Sequence, residues 1–336
     1  MMHREVPFVS VVIPTRNRRK LLKSTIESLF KQSYPKDRYE IIVVDNSSTD
    51  GTEELIRSLK AHAPCFFEYW RKPDEGPGVA RNLAIAKARG SVIAFTDDDC
   101  VADSVWLEKG VAKLVDGIGL VQGKTLPNPH QSVKTFSRTQ DIVKENGLYQ
   151  TCNMFYRRDL LDLVGGFSAD FIGLDRFGIP RMGGDDTDLA WRVKKLGWKS
   201  IFADDAVVYH HVFPLRPWKI ILSYLMYQAY LYILPYLIKK HPELRKVTLY
   251  RQFFLTRVRA LFYLFFLSVV IGIAINEVFF LLTRPYIAVR FKDIFNGLPL
   301  NRYHLGLVAF AFFLLHDVVA SILLTCGSIR YRSIVL

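Results

Sequence analysis

An α/β sheet followed by a membrane-embedded tail is the fold class this chain predicts, and three observations carry it. Short apolar runs alternate with helix-period segments over roughly the first hundred residues. Two of those runs end in carboxylates, Asp45 and Asp97-Asp98-Asp99. Two long apolar runs occupy the last third and are bordered by bases.

The elements follow in order. Val9–Ile13 reads as a buried strand and Leu21–Phe30 as an amphipathic helix. Tyr39–Val44 is a second strand, and the turn Ser48-Thr49-Asp50-Gly51 opens a helix over Thr52–Ala61. Phe66–Tyr69 is a third strand; a Pro/Gly turn, Pro73–Gly78, leads to a helix over Val79–Ala88. Ser91–Thr96 is a buried strand that runs straight into Asp97. Further on, Leu189–Lys195 is helical and Ala206–Tyr209 is an apolar run ending in His210-His211. With 336 residues and 50% hydrophobic side chains, the chain can bury a large core, which excludes a disordered protein. Four scattered cysteines, Cys65, Cys100, Cys152 and Cys326, exclude a disulfide scaffold and a structural zinc site. The first residues, Met1 to Pro7, hold no apolar run, so a reducing, cytosolic compartment is expected for the sheet domain.

The net charge of +13 is localised: residues 215–336 hold fifteen Lys/Arg against four acids, whereas the first 214 hold thirty against twenty-eight. These bases flank apolar runs, so membrane lipids rather than nucleic acid are the expected partner. Leu261–Leu282 and Leu305–Cys326 are each twenty-two residues, about the thickness of a bilayer core. They predict a hairpin with both chain ends on one face and the basic stretch Thr283–His304 on the other. Trp218–Ile238, rich in Tyr and ending in Lys239-Lys240, predicts a helix lying in the interface. The domain expectation is therefore 1–214 for the sheet domain, 215–260 for an interfacial region and 261–336 for the hairpin.

Open α/β sheets bind ligands at the carboxyl ends of their strands. Three adjacent carboxylates there repel one another unless a cation sits among them, and hard oxygen ligands select Mg²⁺ or Mn²⁺. A metal so held normally bridges phosphates, which suggests a nucleotide diphosphate. A solvated acidic turn or helix cap is the competing reading of such a triplet.

The ordered motifs Val-Ser-Val-Val-Ile-Pro-Thr-Arg-Asn (9–17), Ile-Ile-Val-Val-Asp-Asn-Ser-Ser-Thr-Asp-Gly-Thr (41–52), Gly-Val-Ala-Arg-Asn (78–82), Ala-Phe-Thr-Asp-Asp-Asp (94–99) and Gly-Gly-Asp-Asp-Thr-Asp-Leu-Ala-Trp-Arg (183–192) closely resemble glycosyltransferase family 2. The resemblance covers about residues 7–213. It implies the GT-A fold, a single mixed sheet flanked by helices, here followed by C-terminal transmembrane helices. It further implies that Pro14, Thr15 and Arg16 line the nucleotide base pocket and that Asp45 accepts a hydrogen bond from the base. Arg81 is placed near the base and the acidic motif; Asp97 and Asp98 face ribose and pyrophosphate. Asp99 ligates the metal, Asp97 is the other carboxylate of the set, and His210 completes it, with His211 as alternate. The family's acidic motif often ends in an acid where this chain has Cys100, which leaves open which two of the three aspartates form the metal pair. Asp186 is implied as the base that takes the acceptor's proton; Asp185 stands where Glu is commoner, and Asp188 is expected to cap the helix. Trp191 is expected either to stack on an acceptor sugar or to pack in the core.

The function expected from all this is a membrane-anchored, metal-dependent, inverting glycosyltransferase of the cell membrane. Its catalytic domain faces the cytosol and its donor is a nucleotide-diphospho-sugar. The expected acceptor is a lipid-linked glycan or polyprenyl phosphate; the alternatives are a soluble or polysaccharide acceptor with the hairpin as a mere anchor, and a noncatalytic nucleotide-sugar-binding membrane protein.

Overall fold

The computed structural model describes residues 6–73, 75–133, 137–171, 183–214, 230–297 and 306–336. The chain divides into two compact units, with the division between Phe213 and Pro214.

In the first unit the described strands are β1 (Val9–Thr15), β2 (Tyr39–Asn46), β3 (Phe66–Lys72), β4 (Val92–Thr96), β5 (Cys100–Ala102), β6 (Ile118–Pro127), β7 (Asn153–Arg157) and β8 (Lys199–His210). They form one mixed sheet in the order β3-β2-β1-β4-β7-β6-β8-β5. The first four run parallel, β7 is antiparallel to β4 and β6, β6 pairs parallel with β8, and β5 pairs antiparallel with β8. The flanking helices are α1 (Arg19–Phe30), α2 (Thr52–Lys60), α3 (Pro77–Lys87), α4 (Trp106–Ala112), α5 (Arg158–Val164) and α6 (Asp185–Lys195).

Strands β1 and β2 are buried along their whole length, as expected of parallel strands covered on both faces. Val9, Val11 and Ile13 share one core with Ile41, Val43 and the α1 residues Leu22, Ile26 and Leu29. The alternate residues Val12, Ile42 and Val44 are equally buried, on the other face. The 4,3 spacing of Leu22, Ile26 and Leu29 is what makes α1 a helix against this sheet. Each of those fully buried side chains contributes about 1.5–3 kcal/mol. The parallel register brings Thr15 opposite Asp45, and the β1–β4 pairing of Val12 with Phe95 aims the next residues of both strands at the same edge. Binding-competent groups from three strands therefore converge there.

The strands and helices expected up to Thr96 are present, with shifted ends. Those between Cys100 and Arg157 carry no period strong enough to be read.

In the second unit, described residues 230–240 form helix α7; next come α8 (Leu244–Thr248), α9 (Arg257–Ala274), α10 (Arg284–Gly297) and α11 (Gly306–Tyr331). Two segments, Arg257–Ala274 and Phe310–Tyr331, are long and apolar enough to cross a membrane, each with mean hydropathy 1.9. Most of each is not buried by the rest of the unit: Phe266, Ile273, Leu315 and Ile322 are exposed.

Three features differ from the sequence reading. The first apolar helix runs Arg257–Ala274 rather than 261–282, because Asn276 caps a 3₁₀ turn, Glu277–Thr283, through its side chain to the Val278 N–H at 2.9 Å. The expected reverse turn is largely α10, which packs on α9 and α11, buries Tyr286 and bonds through Arg290 to Asp317. The interfacial helix expected at 218–238 lies partly outside the described residues. Its described end is buried, with Tyr232 and Tyr236 against Tyr331 of α11. His316 and Asp317 fall inside the second apolar run, Leu305–Cys326. Asp317 accepts from the Tyr286 hydroxyl at 2.6 Å and lies 3.5 Å from Arg259, so it is an interhelix polar contact.

Candidate active site

Asp98 and Asp99 leave the end of β4 into a tight turn, closed by the Cys100 N–H donating to the Asp97 carbonyl at 3.2 Å. The chain then enters β5 at once, and β5 pairs Cys100 with His210 at the end of β8. A second backbone bond, His211 N–H to the Asp99 carbonyl at 2.8 Å, locks that register. This short strand is the reason a histidine 111 positions downstream meets Asp99: His210 Nε2 lies 3.5 Å from Asp99 Oδ1.

The other ring nitrogen identifies the tautomer. His210 Nδ1 is 2.8 Å from the His211 carbonyl, which only accepts, so Nδ1 carries the proton. In the neutral ring Nε2 then presents a lone pair to a carboxylate oxygen, and a shared cation reconciles two such acceptors. Asp99, Cys100 and His210 bring their ligand atoms within 4.8 Å of one another. Burial drives the Cys100 thiol well above its ordinary value, so it stays protonated and is a poor ligand for a hard cation. Within that group, Asp99 and His210 are the two whose donor atoms could hold a hard divalent cation. Asp97, the other carboxylate expected there, is not a member of that group and accepts from Arg81. His211 is turned away, accepting from Gln131 at 3.0 Å, and its ring packs on Phe213.

Asp98 is almost wholly buried. It accepts from the Thr15 hydroxyl at 2.7 Å and from Arg18 at 2.9 Å, and burial pushes its carboxyl up to about 6. Arg18 reaches Asp99 as well, at 2.7 Å. Sequence reading passed over Arg18, one base in the run Arg16-Asn17-Arg18-Arg19-Lys20 that looks like a solvated helix start. Its signal is position: it follows the end of β1, beside the acids that end β4. Pro14 and Thr15 are buried at that strand end and Arg16 is exposed. Asp45 is buried, held by the Ser48 N–H and the Tyr69 hydroxyl, each at 2.8 Å.

The second cluster stands on α6. Gly183 and Gly184 both take positive φ, 81° and 90°, a conformation that glycine adopts at least cost. That turn delivers Asp185, Asp186 and Asp188 into the first helical turn, where the dipole favours acids. Arg81 of α3 joins the two clusters. It donates to Asp97 at 2.8 Å and lies 3.9 Å from Asp185, while its guanidinium rests 5.6 Å from the Phe167 ring. Asn82 holds Phe167 in place by a bond in each direction, to its N–H at 2.7 Å and its carbonyl at 2.8 Å. Gly78 eases the approach, since a Cβ there would meet Asp185 Oδ2 at 3.2 Å and press the carboxylate aside. The 78–82 motif is therefore the brace between the acid clusters.

Burial and the neighbouring Asp185 charge raise the Asp186 carboxyl to about 7, where a general base is most effective. Asp185 is raised by burial too, offset by Arg81. Asp188 is fully buried and pairs with Arg192 at 2.7 Å, and Arg192 donates to the Val164 and Gly166 carbonyls at the end of α5. Trp191 is a packing residue, its indole N–H donating to the Gly147 carbonyl at 2.9 Å and its ring set edge-on to Tyr149.

Comparison with known proteins agrees with this geometry. The model of the family "Glycosyl transferase family 2" matches residues 10–173. Glycosyltransferase AglE of Haloferax volcanii is 30% identical over 221 residues, which is 63% of this chain and 68% of that protein. The chain belongs to glycosyl transferase family 2. Succinoglycan biosynthesis protein ExoM of Rhizobium meliloti is 27% identical over 205 residues, covering 58% of this chain and 64% of that one. Among solved structures, mannosyltransferase PcManGT from Pyrobaculum calidifontis, in complex with GDP-Man and Mn²⁺, matches 98% of this chain and 88% of its own (TM-score 0.58, 20% identity). Residues 1–349 of S. aureus TarS, in complex with UDP-GlcNAc, match 97% of this chain and 92% of their own (TM-score 0.53, 18% identity). These likenesses establish the GT-A fold. As a member of the family, the chain is a glycosyltransferase that uses a nucleotide-activated sugar.

Proposed function

We propose that this glycosyltransferase transfers a sugar, with inversion, from a nucleotide-diphospho-sugar to a lipid-linked glycan or polyprenyl phosphate at the cytosolic face of the cell membrane. The observation that carries the reading is Arg81 bridging the acids at the end of β4 to those opening α6. That brace joins a donor-side cluster to a carboxylate tuned for proton transfer.

Pro14, Thr15, Arg16 and Asp45 form the base subsite at the ends of β1 and β2. Asp97 and Asp98 face ribose and pyrophosphate, and Arg81 fixes Asp97. Asp99 and His210 would hold Mn²⁺ or Mg²⁺, whose charge would offset that of the departing nucleoside diphosphate. With a lipid-linked glycan, Asp186 accepts the acceptor hydroxyl's proton as that oxygen attacks the anomeric carbon; a polyprenyl phosphate attacks through an oxygen that is already ionised and gives up no proton. Asp185, pinned by Arg81, keeps the Asp186 pKa raised so that the proton is taken near neutrality. The exposed apolar faces of α9 and α11 support embedding in a bilayer, which brings a lipid acceptor within reach.

The test is a panel of nucleotide sugars given to the purified full-length protein with polyprenyl phosphate, membrane lipid extract and soluble oligosaccharides, with products read by mass spectrometry. Sugar on a lipid-linked product is the expected result. Transfer to soluble oligosaccharide alone would leave the apolar helices as an anchor and overturn the acceptor assignment.

A further inference from the structure

We propose that Arg18 is a built-in counter-ion of the cation site, neutralising Asp98 and Asp99 until a divalent cation and the donor enter together and displace it. One guanidinium nitrogen lies 2.9 Å from Asp98 Oδ1 and 2.7 Å from Asp99 Oδ2. The acids are buried and the base is open to solvent: their side chains are 5% and 6% exposed, that of Arg18 37%. Arg18 also immediately precedes the first residue of α1, where a cation opposes the helix dipole. Its placement is therefore explained by the carboxylates and not by the helix.

The geometry also provides for its departure. Asp98 keeps its Thr15 bond when Arg18 leaves, so the acid stays aimed. The Phe213 ring, 5.5 Å from the guanidinium, offers it a second contact by cation–π attraction. A cation at Asp99 shares a carboxylate with Arg18, so each weakens the other's hold. An incoming diphosphate supplies negative charge that helps hold the cation and receives the displaced guanidinium, which links cation affinity to nucleotide.

The inference rests on the assignment of Asp99 and His210 to the metal. Full-length protein in detergent is titrated with Mn²⁺ alone and with UDP or GDP, reading free Mn²⁺ by EPR. Arg18→Gln should bind Mn²⁺ without nucleotide roughly 5- to 150-fold more tightly than wild type, the usual range of coupling between two sites. Its gain in Mn²⁺ affinity on adding nucleotide should shrink accordingly. Arg18→Lys, which keeps the charge, should titrate like wild type, and circular dichroism melts check that both variants fold. Equal or weaker Mn²⁺ binding by Arg18→Gln, no binding by either protein without nucleotide, or matching behaviour of the Lys and Gln variants would overturn the counter-ion role. Asp99→Asn is titrated alongside with nucleotide present. If it held Mn²⁺ as wild type does, the metal assignment itself would fail, an outcome separate from any result with Arg18.

Discussion

Replacing Asp186 by Asn keeps the size of the side chain and removes its ability to take a proton. Burial and Asp185 set the wild-type carboxyl at about 7. Only the ionised form accepts a proton, so kcat/KM should climb about tenfold between pH 6 and pH 8 and then level off. Asp186→Asn should lose that limb and turn over about 10²- to 10⁴-fold more slowly, the range for loss of a general base. In barrier height that is about 3–5 kcal/mol. The same raised pKa fixes the sign of a stability effect. A carboxyl whose pKa is higher folded than unfolded contributes stability at low pH, lost as pH rises through the folded value near 7. Asp186→Asn should therefore melt higher than wild type at pH 8, by about 1–4 kcal/mol, with the gap closing towards pH 4. Initial rates at saturating donor, a pH profile and melts at two pH values check all of this. A variant that loses activity, melts lower at pH 8 and binds donor poorly would mark Asp186 as structural and refute the reasoning.

Arg81→Met should cut kcat/KM at least 100-fold and move the ascending pH limb upward, because Arg81 lowers the pKa of both Asp185 and Asp186; an unshifted limb would break the proposed brace. Trp191→Phe should lower stability by about 1–3 kcal/mol for the unpaired Gly147 carbonyl, with the KM for acceptor unchanged; a raised acceptor KM would restore Trp191 to the sugar subsite. Asp317→Ala should cost about 3–5 kcal/mol in detergent melts, because Arg259 and Arg290 lose a buried carboxylate partner, although Arg259 keeps its bond to the residue 317 carbonyl; a loss under 1 kcal/mol would show the network to be solvated.

The first strands and helices were legible because each combines a buried apolar run with a turn signal, as Tyr39–Asn46 does before Ser48-Thr49-Asp50-Gly51. The acids at their ends followed from sheet geometry. Three parts were not legible, for different physical reasons. Strand β5 is three residues long, too short for any period, yet its pairing alone carries His210 to Asp99. Arg18 lay hidden in a basic run because its partners are 80 and 81 residues away. In the second unit hydropathy located the apolar helices but not the fold-back of α10, which depends on one buried carboxylate collecting Arg290, Tyr286 and Arg259. Asp188 and Trp191 illustrate the converse. Their positions on α6 were plain, but only burial distinguishes a structural pair and a core indole from a cap and a sugar platform.

The central claim is a single displacement in which Asp186 takes the acceptor's proton. It is tested most directly by the anomeric configuration of the product that purified wild-type protein forms from its preferred nucleotide sugar, read by NMR. The configuration opposite to that of the donor is the predicted result; retention of the donor's configuration would contradict the account.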